Sequence, residues 1–320
     1  MRNLNLDFIR VMAMCGVLLD HYMWIFNSTV MSNIGLQMGG GSVEIFFAIS
    51  SLLYGIKWSK NIYMHFDPWD FIKKRLARIF VPVWITILIT IPLEYLIVDR
   101  FEPMTILFNV IGLGWAKPFG ISGHLWFVTM LVIIYFAFVL LSYFRLDKMR
   151  LWGWSVVFVC LTLCHALLAD RLTTFSKAGP MLFLYFAALM FCKGEVITYW
   201  CKKHKFITVL CAFISLSISI YLYIHGWHYT NKAWAVYSFI VAGFLTFWAL
   251  YAYLDIKRKN RTITWLSGIS YEVYLIHMPI MPLAGCMTDN IYLKLVLCLL
   301  MTFVAAVGIN KISAKCNMTC

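Results

Sequence analysis

Arg10 and His21 stand eleven residues apart within one apolar stretch, LNLDFIRVMAMCGVLLDHYMWIF, over residues 4–26. A charged or titratable side chain inside a membrane-spanning helix is costly, so each needs a reason to be there. Eleven residues at ~100° per residue make about three turns plus 20°, which puts both side chains on one face, roughly 16 Å apart along the axis. One helix thereby offers a cation near one membrane surface and an imidazole near the other. The competing roles are snorkelling of Arg10 to the headgroups and a plain interhelical hydrogen bond for His21. Asp7 precedes Arg10 by one turn and is placed to pair with it.

Further groups of the same kind follow. The segment VEIFFAISSLLYGI, residues 43–56, opens with Glu44. A carboxylate beside an imidazole fixes its tautomer and raises its basicity, as a general base requires, whereas a carboxylate at a helix start can also be simply interfacial. In KKRLARIFVP, residues 73–82, Arg75 and Arg78 lie three apart and share a helix face. Two guanidiniums so placed suit bidentate phosphate capture, as in a nucleotide-containing donor, and equally serve as orientation anchors. HLWFV, residues 124–128, sets His124 and Trp126 at the end of an apolar run, where Trp is also the usual interfacial belt residue. In ITWLSGISYEVYLIHMPI, residues 263–280, Ser270, Tyr274 and His277 follow i, i+4, i+7 and form one polar stripe. Glu272 lies off that stripe and needs a partner that its neighbours do not supply.

The elements that must position these residues are long apolar helices. The 320 residues are 62% hydrophobic and 13% charged, with mean hydropathy +0.80. That excludes a soluble domain, and the long apolar runs exclude a transmembrane barrel, whose strands alternate over short segments. Ten spans are expected, at about 4–26, 43–60, 76–98, 123–144, 151–168, 179–194, 206–225, 233–254, 263–284 and 291–310. The chain reads as a single all-α polytopic membrane domain over 1–320. The first run is broken by charge and lacks a small-residue cleavage site, so it is expected to stay as a span. Ten scattered cysteines form no CxxC pair and read as small apolar packing residues, with no metal expected.

The net charge of +13 is explained by orientation before any polyanionic ligand. With the N-terminus inside, clusters such as Lys73, Lys74, Arg75 and Arg78, or Lys257, Arg258, Lys259 and Arg261, fall on the inner side. The outer segments keep only Arg100, Lys117, Arg171, Lys177 and Lys232. Both termini are therefore expected in the cytoplasm. In that frame His21, Glu44, His124 and His277 converge on one depth in the outer half from four spans, after a flexible outer turn at Gly39–Ser42 and a long outer connection over 99–122 that carries Pro103, Gly112, Gly114, Pro118 and Gly120. Ionisable groups within spans also mark ion pathways, so a proton-coupled transporter or exporter is the rival class, although no inverted repeat or matched pair of broken helices is visible.

The landmarks LDFIR through His21, VEIFFAISSLL, KRLARIFVP, HLWFV and GISYEVYLIHMP, in this order, resemble the membrane acyltransferase-3 family of bacterial O-acyltransferases. Ser51 departs from the family's FF-x-x-SGF pattern, where Gly is common, and no appended esterase-like domain is expected. The resemblance implies a multi-pass protein of the bacterial cytoplasmic membrane that moves an acyl group, most often acetyl, from cytoplasmic acyl-CoA to a hydroxyl of an extracytoplasmic glycan or glycolipid. It implies Arg10, Arg75 and Arg78 as donor-holding groups and His21, oriented by Glu44, as general base or acyl carrier. His124, Trp126, Tyr274 and His277 would then shape the acceptor side.

Overall fold

The computed structural model describes residues 3–26, 41–59, 67–98, 102–117, 120–168, 175–225 and 232–318. The expected glycine turn at Gly39–Gly40, Pro118, and the outer cations Arg100 and Arg171 lie outside the described residues. The protein is all-α and polytopic, and each of the ten segments expected to span is a helix. These are α1 (Leu4–Tyr22), α2 (Ser42–Ser59), α3 (Pro68–Leu93), α5 (Trp126–Tyr143), α6 (Leu151–Leu168), α7 (Phe175–Lys203), α8 (Lys205–Ile224), α9 (Lys232–Tyr253), α10 (Arg261–Met287) and α11 (Ile291–Met318). Among the described residues six stretches are long and apolar enough to cross a membrane: Leu4–Phe26, Trp69–Ile97, Gly123–Tyr143, Met181–Lys203, Lys205–Leu222 and Ile291–Cys316. Leu151–Cys164 and Tyr237–Tyr253 are shorter apolar helices.

Two differences from the sequence expectation have simple causes. The connection over 99–122 is not irregular throughout, because α4 (Pro103–Val110) forms within it, opened by a proline in its first turn. Helices α3 and α7 also overrun the spans expected at 76–98 and 179–194. Hydropathy marks only the apolar part of a helix, whereas the hydrogen-bonded backbone continues through polar residues once they reach water.

Local chemistry starts several helices. The side-chain carbonyls of Asn3, Asn260 and Asn290 accept the N–H of Leu6, Ile263 and Leu293 at 3.3, 3.1 and 3.0 Å, and so cap α1, α10 and α11. Helix α3 carries Pro82 and Pro92 and ends in a π-helical turn at Glu94–Val98. Such a turn widens the helix and re-aims the side chain that opens it, here Glu94.

The chain folds as two compact units. The first comprises Met1–Ala13, Gly40–Asp67 and Ile134–Lys259. Within it α2 and α9 pack on α7, and α8 packs on α9. Its core is aromatic: Phe138 stacks on Phe191 at 4.5 Å and Phe186 on Phe244 at 4.7 Å between ring centroids. Asn3 and Asn5 tie the first turn of α1 to the end of α9 through Tyr251 and Leu254. The second unit comprises Met14–Gly39, Pro68–Ile133 and Asn260–Cys320. Here α10 and α11 pack on each other and on α3, and the turn at Gly123–Leu125 lies against α10.

Candidate functional site

Three of the four titratable residues expected at one depth meet inside the second unit. The rings of His21 (α1) and His124 (the turn before α5) each lie 4.8 Å from the ring of His277 (α10), edge-on in both cases. His277 is fully buried and His124 is 5% exposed, while His21 is only half-buried, so His21 is the most exposed imidazole of the three.

The hydrogen-bond partners decide the tautomers, because a carbonyl only accepts and the ring nitrogen facing it must carry the proton. His277 Nδ1 faces the Tyr274 carbonyl at 2.5 Å, so its Nε2 keeps the lone pair. That Nε2 lies 3.3 Å from His21 Nδ1, which also faces the Val17 carbonyl at 3.0 Å. The Nδ1–H of His21 is thus shared between Val17 and His277, and the free lone pair of His21 sits at Nε2. His124 is held the other way round: its Nε2–H donates to the Leu275 carbonyl at 3.0 Å, leaving the lone pair at Nδ1. Among the described residues no group of three His, Cys, Asp or Glu side chains is placed to hold a metal ion.

Helix α10 explains why His124 finds a carbonyl. Pro279 has no N–H and therefore leaves the carbonyl of Leu275, four residues back, without its helical partner. His124 supplies the missing donor, which in an apolar surrounding is the condition for such a break to persist. The Tyr274 hydroxyl donates to the His124 backbone carbonyl at 2.9 Å and locks the turn from the other side. Tyr22, buried next to His21, bonds Thr302 Oγ1 at 2.5 Å and the Cys298 carbonyl at 3.4 Å, which fixes the end of α1 to α11. Trp24 packs its ring 5.1 Å from that of His21 and is 46% exposed.

The remaining expected residues take distinct places. Trp126 is the half-buried first residue of α5, directly after the histidine turn. Arg75 is half-buried, with its guanidinium carbon 5.9 Å from the centre of the Phe71 ring, and Arg78 is exposed one turn later on α3. Glu272 obtains the partner that its own helix could not supply: Asn310 of α11 donates to its Oε1 at 2.9 Å, and Arg78 lies within electrostatic reach. Arg10 and Glu44 belong to the first unit. Arg10 pairs with Asp7 at 3.8 Å, as the one-turn spacing predicts. Glu44 is buried at the start of α2 against Gly243 of α9, where an added Cβ would come within 2.6 Å of the Glu44 Cβ.

The sequence reading passed over Tyr22, Trp24, Asn310 and the backbone carbonyl of Leu275. Only the last left a signal in the chain, a proline two residues after a histidine in an apolar helix.

A family model described as an acyltransferase domain, that of the acyltransferase 3 family, matches residues 3–311. No curated protein and no solved structure matches the chain.

Proposed function

We propose, from the premise that this chain belongs to the acyltransferase 3 family, that it is a membrane O-acyltransferase carrying an acyl group, acetyl above all, from cytoplasmic acyl-CoA to a hydroxyl of an extracytoplasmic glycan or glycolipid. The observation that carries the mechanism is the lone pair at His21 Nε2, set by His277 and Val17 on the opposite nitrogen. That lone pair takes the proton of the acceptor hydroxyl as its oxygen attacks the thioester carbonyl. The tetrahedral intermediate then collapses with cleavage of the C–S bond, and the leaving thiolate recovers the proton from the imidazolium, so that ester and free thiol result. In the covalent variant the same Nε2 attacks the thioester first and passes the acyl group on.

Arg75 and Arg78 suit the donor's phosphates through bidentate hydrogen bonds. His124, Trp126 and Tyr274 suit the acceptor side, and His277 orients the base. Arg10 and Glu44 enter this reading from the sequence alone. The orientation that puts Arg75 at the cytoplasmic mouth rests on the distribution of Lys and Arg.

The test uses inside-out membrane vesicles carrying the full chain, with radiolabelled acetyl-CoA outside and envelope glycan present. Label is expected on glycan only where the protein is present. Label trapped on the protein points to the covalent route, and no protein-dependent label with several acyl-CoA donors removes the reading and leaves transport. In the same vesicles Arg75→Ala is expected to raise the KM for acetyl-CoA about 10-fold or more, the usual loss of a hydrogen bond to a charged group. An unchanged KM would take Arg75 out of the donor site. Pro279→Ala restores a helical partner to the Leu275 carbonyl in competition with His124. Slower transfer, by about 10-fold at most, is expected with no loss of thermal stability; an unaltered rate would show that the hold of His124 on Leu275 has no part in turnover.

A further inference from the structure

We infer that the turn Ser122–Gly123–His124 is a preformed subsite for a neutral, hydroxyl-bearing ligand, which under the proposed reaction is the sugar ring of the acceptor; this rests on the acyltransferase reading for the ligand's role and on geometry alone for the site. The turn is held from three directions. The N–H of Ile121 donates to both carboxylate oxygens of Glu94, at 3.3 and 3.1 Å. The Leu125 N–H closes the turn onto the Ser122 carbonyl at 3.0 Å. The ring and the carbonyl of His124 are bonded to Leu275 and to the Tyr274 hydroxyl. Gly120 permits the close approach of Glu94, since a Cβ there would coincide with the carboxylate.

Within this rigid frame two polar atoms are left over. Among the described residues the hydroxyl of the 0%-exposed Ser122 has no hydrogen-bond partner, and Nδ1 of the 5%-exposed His124 has none either. Buried polar groups are nearly always paired, and two orphans two residues apart on a clamped turn mark a place where pairing is completed by something from outside. Their chemistry is complementary: Nδ1 offers only a lone pair, while the serine hydroxyl can both donate and accept. Together they match a hydroxyl group. They carry no charge with which to meet a phosphate, and the neighbouring carboxylate of Glu94 is already engaged by Ile121. Between them Gly123 faces open space: apart from its two neighbours in the chain, no atom of the described residues lies within 4 Å of where a Cβ would stand. The subsite adjoins the base, because the His124 ring lies 4.8 Å from that of His277, the direct partner of His21.

The test is binding, measured apart from turnover. The detergent-solubilised full-length protein is titrated with purified envelope glycan from the host cells, followed by tryptophan fluorescence. Ser122→Ala is expected to weaken binding by about 5- to 10-fold, the usual worth of one neutral hydrogen bond, while Ser122→Thr, which keeps the hydroxyl, restores it. Gly123→Leu, which fills the open side, is expected to weaken binding further without altering the KM for acetyl-CoA in vesicles. Equal binding by wild type and Ser122→Ala, no restoration by Ser122→Thr, or no binding by the wild type would each overturn the subsite. Failure of label transfer in wild-type vesicles, with glycan binding still dependent on Ser122, would instead overturn the acyltransferase reading and leave the subsite standing.

Discussion

Replacing His21 by alanine is expected to lower acyl transfer about 10²- to 10⁴-fold, the usual contribution of a positioned general base, and to abolish it if the acyl group passes through the imidazole. The expectation follows from three features together. His21 is the most exposed of the clustered histidines, though half-buried, its Nδ1–H is engaged on Val17 and His277, and its Nε2 lone pair faces away from both. Alanine keeps the helix, because the backbone of α1 does not depend on the ring, so protein abundance and the KM for acetyl-CoA should stay close to wild type. Initial rates of glycan labelling in vesicles of matched protein content decide the matter. A rate within a few-fold of wild type would end the catalytic role of His21 whatever the fate of the remaining residues.

The second large effect is expected at His277. Leucine fills nearly the same buried volume, but it removes the acceptor for His21 Nδ1–H and the donor to the Tyr274 carbonyl. The base then keeps only its bond to Val17 and is free to rotate or to change tautomer. A loss on the order of 10- to 100-fold in kcat is expected, as for the partners that orient metal-bound histidines, with the KM for acetyl-CoA unmoved. His277→Gln, whose carbonyl can accept from His21, should recover part of the rate. If His277 acts through His21, the double variant His21→Ala, His277→Leu should be no slower than His21→Ala alone. Additive losses would instead mean that His277 has a separate task, or that the packing around it had failed.

Much of this protein is legible along the chain because membrane insertion is a local matter. Each span must satisfy its backbone hydrogen bonds within itself, so apolar length alone marks where helices lie, and all ten expected segments are helical. The pairing of Arg10 with Asp7 is equally local, a consequence of one helical turn. The cost of burying titratable groups singled out His21, His124 and His277 before any geometry was known. Five motifs in order were enough to place the chain in its family.

What the chain could not disclose is which face of each helix meets which neighbour, since side-chain packing between residues distant in sequence settles that. His21 Nδ1 meets the Nε2 of a histidine 256 residues away, on α10 of the same unit. His124 takes the carbonyl that Pro279 sets free 151 residues further on, and Glu272 is completed by Asn310 of the last helix. Sequence determined the helices and the residues able to do chemistry. Only the tertiary fold decided which nitrogen of each imidazole holds the proton, because that depends on the single donor or acceptor each ring faces across a helix boundary.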